Sequence, residues 1–201
     1  MRVIAGEFRS RVLKSRPGLE VRPTPDRLRE ALFSILAPRV QGAVFVDLYA
    51  GTGAVGIEAL SRGAARVAFV ERAPAALAVL RANLARLGLT GGFRIHPAST
   101  GAFLRKARTD GGSGHEQGST AGFDLVFLDP PYDAASEYAG TLGLLGGASA
   151  GWLAQGAVVI AEHRRKEPIA DRYGSLQRTR LLEQGDAALS LYSASGIPAP
   201  E

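Results

Sequence analysis

The stretch Ala43-Val-Phe-Val-Asp47-Leu-Tyr-Ala-Gly51-Thr-Gly53-Ala-Val-Gly56 sets the fold. Residues 43–48 are apolar apart from Asp47 and predict a buried strand, residues 53–62 predict a helix, and a glycine-rich turn joins them. A strand entering a helix through such a turn is the first βα unit of a doubly wound sheet. The alternation continues. Residues 67–71 read as a second strand, and Leu77, Leu80, Leu84 and Leu87 mark a helix closed by Gly88. Residues 93–96 form a third strand, followed by a short helix through Phe103 and Leu104. Residues 123–128, 134–147 and 157–162 read as strand, helix and strand, and residues 178–182 and 187–192 flank Glu183-Gln-Gly-Asp186 as a hairpin at the sheet edge. The expected fold is α/β, a Rossmann-like, mostly parallel sheet with an antiparallel edge hairpin, and no internal repeat.

The turn contains G-x-G-x-x-G, which would ordinarily suggest a dinucleotide. Asp47 discriminates: a carboxylate at the strand tip repels a pyrophosphate, which wants N–H donors and positive potential. S-adenosylmethionine has no phosphate and carries a sulfonium and an ammonium, so an acidic rim suits it. Glu71 ends the second strand about 20 residues beyond the glycines, where an acid accepts hydrogen bonds from ribose hydroxyls. Either ribose-bearing cofactor would use it.

A second stretch carries the acceptor chemistry. The apolar run Phe123-Asp-Leu-Val-Phe-Leu128 leads into Asp129-Pro130-Pro131-Tyr132. Two prolines fix φ and remove two N–H donors, leaving the Asp129 carboxylate and the Pro130 carbonyl as acceptors on a rigid turn, with the Tyr132 ring just behind. Two acceptors and a flat ring suit a planar amine. An exocyclic amine is a poor nucleophile because its lone pair is delocalised into the ring. Hydrogen bonds from its protons to Asp129 and Pro130 would localise that pair, and stacking on Tyr132 would orient the base. Taken without the rest of the chain, the tetrapeptide fits a simple strand end equally well.

The chain has 201 residues, 46% of them hydrophobic, enough for one sizeable core. With no cysteine, disulfides and thiolate metal sites are excluded, and His96, His115 and His163 are scattered, so no metal is expected. Met1-Arg-Val-Ile-Ala-Gly6 lacks the apolar run of a secretion signal, and no apolar run approaches ~18 residues. A cytoplasmic protein without membrane attachment is expected, as a monomer.

The net charge of +5 is concentrated in residues 1–40, which hold nine Lys/Arg against four Asp/Glu, while the remainder holds fifteen of each. A basic front on a neutral body suggests nucleic acid as a partner. Residues 1–21 predict a small β-hairpin extension, with Val3-Ile4 and Val12-Leu13 as its strands and Arg9 and Arg11 on one face, and residues 22–201 form the main domain. Lys14 and Arg16 extend the basic surface. In Arg22-Pro-Thr24-Pro25-Asp26-Arg27, Thr24 is placed to cap a helix whose stripe is Leu28, Leu32, Ile35 and Leu36 and whose end is set by Pro38. Arg27 and Arg29 fall off that stripe, as solvated face or substrate contacts.

Arg2-Val-Ile-Ala-Gly6, Arg22-Pro-Thr-Pro-Asp-Arg27-Leu-Arg-Glu30, Asp47-Leu-Tyr-Ala-Gly-Thr-Gly53, Glu58-Ala-Leu-Ser-Arg-Gly63 and Asp129-Pro-Pro-Tyr132 together resemble the bacterial RsmD family of small-subunit ribosomal RNA guanine-N2 methyltransferases. The similarity spans nearly the whole chain. It implies a class I S-adenosylmethionine-dependent methyltransferase acting on one guanine of 16S rRNA, free or in the small ribosomal subunit. Asp129 and Pro130 would hold the amine and Tyr132 would stack on the base. Asp47, Tyr49, Gly51 and Gly53 would line the methionine end of the cofactor, with Glu71 on its ribose. The chain departs from the usual acid or Asn after the third strand, where His96-Pro-Ala-Ser99 leaves Ser99 as the adenine contact. Arg9, Arg11 and Lys14 would grip the RNA backbone, and Arg22, Thr24 and Arg27 would cap the site. The polar segment 109–122 has no assigned role. Rival expectations are an amino-methyltransferase for DNA adenine or cytosine or for a protein glutamine, a non-catalytic nucleic-acid binder, and a nicotinamide-dependent oxidoreductase.

Overall fold

Asp47 and Glu71 each close a parallel strand in the computed structural model, which describes residues 1–15, 26–109, 122–131, 135–147 and 151–194. Two compact units result, Met1–Ala98 and Ser99–Glu201. The boundary expected at residue 21 lies outside the described residues, and residues 1–15 belong to the first unit.

In the first unit, α1 (Asp26–Val40) precedes β1 (Val44–Asp47), α2 (Ala54–Ser61), β2 (Arg66–Glu71), α3 (Pro74–Arg86) and β3 (Phe93–Pro97). β1 pairs in parallel with β2, Asp47 opposite Phe69, and β2 with β3, Glu71 opposite Pro97. Both carboxylates therefore stand at the carboxyl ends of their strands, the end at which open α/β sheets bind ligands. Phe33, Phe45, Phe69, Leu80 and Ile57 are fully buried, each burial worth ~1.5–3 kcal/mol.

The glycine turn is shaped by packing. Gly53 has φ 87°, and a Cβ there would lie 2.3 Å from Leu80 Cδ1 of α3; a Cβ at Gly56 would lie 2.3 Å from the Phe69 ring. Glycine at these positions lets α2 start hard against α3 and β2.

In the second unit, α4 (Thr100–Thr109), β4 (Phe123–Leu128), α5 (Ala135–Leu145) and β5 (Leu153–Arg164) lead to β6 (Arg172–Tyr173), β7 (Leu176–Gln184) and β8 (Ala187–Ala194). β4 and β5 are parallel, and β5–β8, β8–β7 and β7–β6 are antiparallel. Phe103, Phe123 and Trp152 pack with ring centroids 5.9–6.3 Å apart, and Tyr138 Oη of α5 donates to the Glu162 carbonyl of β5 at 2.9 Å. The fold is thus the expected α/β type with an antiparallel edge hairpin.

Four details depart from the expectations. α1 runs through Pro38 to Val40, because proline in the last turn removes only one intrahelical bond and its φ suits the helix. Arg29 is buried in α1, in phase with Phe33, Leu36 and Val40, so the helix buries a wider face than the stripe suggested. β6 is too short to leave a periodic signal. In the N-terminal segment the pairing is confined to an Arg2–Val12 bridge flanked by Val3 N–H to Arg11 O, Ser10 N–H to Val3 O and Leu13 N–H to Met1 O. Residues 5–10 turn, with Ser10 at φ 67°, so Arg9 and Arg11 do not alternate along a strand face.

Candidate functional site

The first unit brings two carboxylates and a glycine loop together. Asp47 is 2% exposed, and its Oδ2 accepts the Gly56 N–H at 3.1 Å, so the start of α2 is bonded to the tip of β1. Burial of a carboxylate without a cation is costly, and desolvation pushes Asp47 from 3.8 up to about 7. The Gly56 N–H opposes that rise, the Glu71 charge adds to it, and the Tyr49 N–H opposes it. Glu71 is half-buried. Its Oε2 accepts the Gly51 N–H at 2.9 Å and its Oε1 the Ala73 N–H at 2.7 Å, which fixes the carboxylate and leaves lone pairs for further donors. Gly51 has φ 54°, and a Cβ there would meet nothing nearer than the Tyr49 carbonyl at 4.0 Å, so the backbone is bare on that side.

A site with one acid held near neutrality and a second acid beside it favours a cationic ligand and opposes a phosphate. The acceptor set fits the ammonium and ribose hydroxyls of S-adenosylmethionine, and fits a pyrophosphate poorly. Tyr49 is half-buried beside the loop.

In the second unit, Asp129 follows β4 directly and is partly exposed, Pro130 is buried and Pro131 is exposed. β4 is held to β5 up to the Leu128–Ala161 pair, one residue before Asp129, so the strand tip is fixed by a ladder and two prolines. Tyr132 lies outside the described residues. Ser99 caps α4: its Oγ accepts the Ala102 N–H at 3.2 Å and its carbonyl the Phe103 N–H at 2.9 Å.

Arg9, Arg11, Lys14 and Arg27 are exposed, and Arg22 and Thr24 lie outside the described residues. Among the described residues no cluster of His, Cys, Asp and Glu could hold a metal ion, and no helix is long and apolar enough to cross a membrane.

Three residues that the sequence assigned no role, Glu58, Ser61 and Asn83, hold the N-terminal segment. Glu58, fully buried in α2, accepts the N–H groups of Ile4 at 2.8 Å and Ala5 at 3.0 Å, with Arg62 Nε at 2.7 Å and Arg29 Nε at 3.8 Å. Arg29 also donates to the Arg2 carbonyl. Ser61 Oγ accepts the Phe8 N–H at 2.9 Å and donates to the Ala5 carbonyl at 2.6 Å. Gly6 passes so close that a Cβ would lie 1.8 Å from the Ser61 carbonyl oxygen. The signal was present: α2 is apolar around nearly its whole circumference, and a lone glutamate in such a helix must be buried with partners.

The family model described as "Conserved hypothetical protein 95" matches residues 1–193. The chain is 34% identical over 194 residues to the Ribosomal RNA small subunit methyltransferase D of Escherichia coli strain K12, covering 96% of this chain and 89% of that one. With the protein of the same name from Haemophilus influenzae it shares 32% identity over 171 residues, 84% of this chain and 81% of the other. The solved structure of yhhF from Escherichia coli matches with a TM-score of 0.79 at 31% identity, covering 96% of this chain and 97% of that one.

Proposed function

Since the chain belongs to the RsmD family, whose model carries the description conserved hypothetical protein 95, we propose that it transfers a methyl group from S-adenosylmethionine to the exocyclic N2 amine of a guanine in small-subunit (16S) ribosomal RNA. The observation that carries the cofactor assignment is the pairing of Asp47 and Glu71 at adjacent strand tips around a bare glycine loop. The names of the relatives support ribosomal RNA as substrate, and Asp129-Pro130-Pro131-Tyr132 supports an exocyclic amine.

When bound, the cofactor supplies an electrophilic methyl on a sulfonium. Asp47, in its ionised form, would hold the ammonium, and Glu71 would accept from the ribose hydroxyls with an orientation already set by Gly51 and Ala73. At the acceptor, the Asp129 carboxylate and the Pro130 carbonyl each take a hydrogen bond from the amine, which returns the nitrogen lone pair from the ring and stabilises the positive charge that develops on nitrogen. Asp129 then takes the departing proton. Tyr132 holds the base by stacking. Orientation supplies much of the acceleration, up to ~7–11 kcal/mol where alignment is good. Arg9, Arg11 and Lys14 contact phosphates, and Arg22, Thr24 and Arg27 cap the site.

The test is to incubate the protein with methyl-labelled S-adenosylmethionine and small ribosomal subunits from a bacterium lacking this family, then digest and map the label. N2-methylguanosine at one position is expected. Label in adenosine or cytidine, or in ribosomal protein, contradicts the assignment.

A further inference from the structure

Asn83 sits in α3 in phase with Leu77, Leu80 and Leu84, on the face that packs into the first unit, and it is fully buried. All three of its hydrogen-bonding positions with described partners serve two separate segments. Its Oδ1 accepts the Lys14 N–H at 2.7 Å, and its Nδ2 donates to the Lys14 carbonyl at 3.1 Å and to the Thr52 carbonyl at 2.9 Å. Thr52 lies between Gly51 and Gly53, and the Gly51 N–H is bonded to Glu71. Leu80, one turn before Asn83, is the side chain that a Cβ at Gly53 would strike. One helix face therefore holds both the end of the basic segment and the turn that the cofactor assignment places against the methionine group. A buried apolar residue at position 83 would leave the Lys14 and Thr52 groups without these partners, at a cost that packing does not require.

We propose that Asn83 is a positioning residue that couples RNA binding to cofactor binding, resting on the cofactor and RNA assignments above. A ligand that orders the Lys14 backbone fixes the Asn83 amide, and the amide fixes Thr52; the ordering is then already complete when the second ligand binds. Coupling of this kind is reciprocal: RNA tightens cofactor binding by the same factor as the cofactor tightens RNA binding. The effect is selective retention of the cofactor-loaded enzyme on its RNA.

The experiment measures S-adenosylhomocysteine affinity of the full chain by calorimetry with and without unmodified 16S rRNA transcript, and RNA affinity with and without S-adenosylhomocysteine. Wild type is expected to show the same enhancement, about fivefold or more, in both directions. In Asn83→Ala both ligands still bind and the enhancement falls toward one, with thermal melting monitoring the fold. A second pair leaves α3 untouched: Lys14→Ala removes the cation and weakens RNA binding but keeps the N–H that Asn83 accepts and leaves Arg9 and Arg11 to engage RNA, whereas Lys14→Pro removes both the cation and the N–H, so the enhancement survives in the first and is lost in the second. Binding of both ligands with an enhancement of one in wild type, or wild-type enhancement in Asn83→Ala or Lys14→Pro, overturns the coupling alone. A wild-type chain that binds neither ligand overturns the functional assignment and the coupling with it.

Discussion

The carboxylate of Glu71, at the end of β2, accepts the N–H of Gly51, in the loop that follows β1, at 2.9 Å. The bond ties two strand ends together across 20 residues of chain and fixes the acid before any ligand arrives. Hydrogen bonds to a charged acceptor are worth ~1.5–3 kcal/mol. Glu71→Ala is therefore expected to weaken S-adenosylhomocysteine binding by roughly 10–100-fold, and Glu71→Gln by less, since one acceptor remains. Calorimetry decides; an affinity within twofold of wild type for Glu71→Ala would show that the acid has no part in the site.

On the proposed assignment, Asp47 should make cofactor binding depend on pH. Its carboxyl is raised from 3.8 to about 7, mainly by burial. The ligand's ammonium favours the ionised form, so affinity for S-adenosylhomocysteine should rise as pH increases through about 7 and then level off, with proton uptake by buffer below that point. Stability has the opposite sign. Between pH 4 and 7 the folded protein retains a proton that the unfolded chain has lost. The stabilisation from neutral Asp47 is therefore complete below the unfolded value and is lost as pH rises to about 7, a difference on the order of 4 kcal/mol. Asp47→Asn should flatten both dependences, and an unchanged slope in that variant would rule the residue out.

Glu58 anchors the N-terminal segment through the Ile4 and Ala5 N–H groups and is flanked by Arg62 and Arg29. Breaking a buried ion pair by removing one partner costs ~3–5 kcal/mol. Glu58→Ala should lower the melting temperature and speed tryptic cleavage at Arg9 and Arg11, which follow the backbone that Glu58 anchors. Equal cleavage rates in mutant and wild type would mean that the segment is held by other contacts.

Arg9, Arg11 and Lys14 are exposed along one segment. Replacing all three with alanine should weaken 16S rRNA binding and reduce the slope of log affinity against log salt by about 2, at ~0.7 per phosphate contact on single strands. Affinity for S-adenosylhomocysteine without RNA should be unaltered. A salt slope equal to wild type would remove the segment from the RNA interface.

The parts of the molecule governed by periodicity and by strand-tip chemistry were legible in the sequence. Asp47, Glu71 and the glycines announce themselves because an acid or a glycine interrupts an apolar run at a fixed spacing, and the strand–helix alternation follows from the same runs. The burial of Glu58 was legible from the apolar run of α2, but the partners of the N-terminal anchors were not. Glu58 and Asn83 bind backbone groups 53–54 and 69 residues away, and no local pattern encodes a partner at such a distance. Arg29 read as off-stripe because one apolar stripe was counted, whereas α1 buries Arg29 with Phe33 as well as Leu28 with Leu32. The alternating face expected for Arg9 and Arg11 failed for a different reason: Ser10 adopts a left-handed conformation that the sequence does not demand.

The most direct test of the account is methyl transfer by Asp129→Ala to small ribosomal subunits under single-turnover conditions, with S-adenosylhomocysteine affinity measured on the same preparation. The expected result is a rate reduced roughly a hundredfold or more with cofactor affinity unchanged, and with the wild-type product being N2-methylguanosine. Transfer at the wild-type rate by Asp129→Ala would contradict the role of the β4 tip as the seat of the reacting amine.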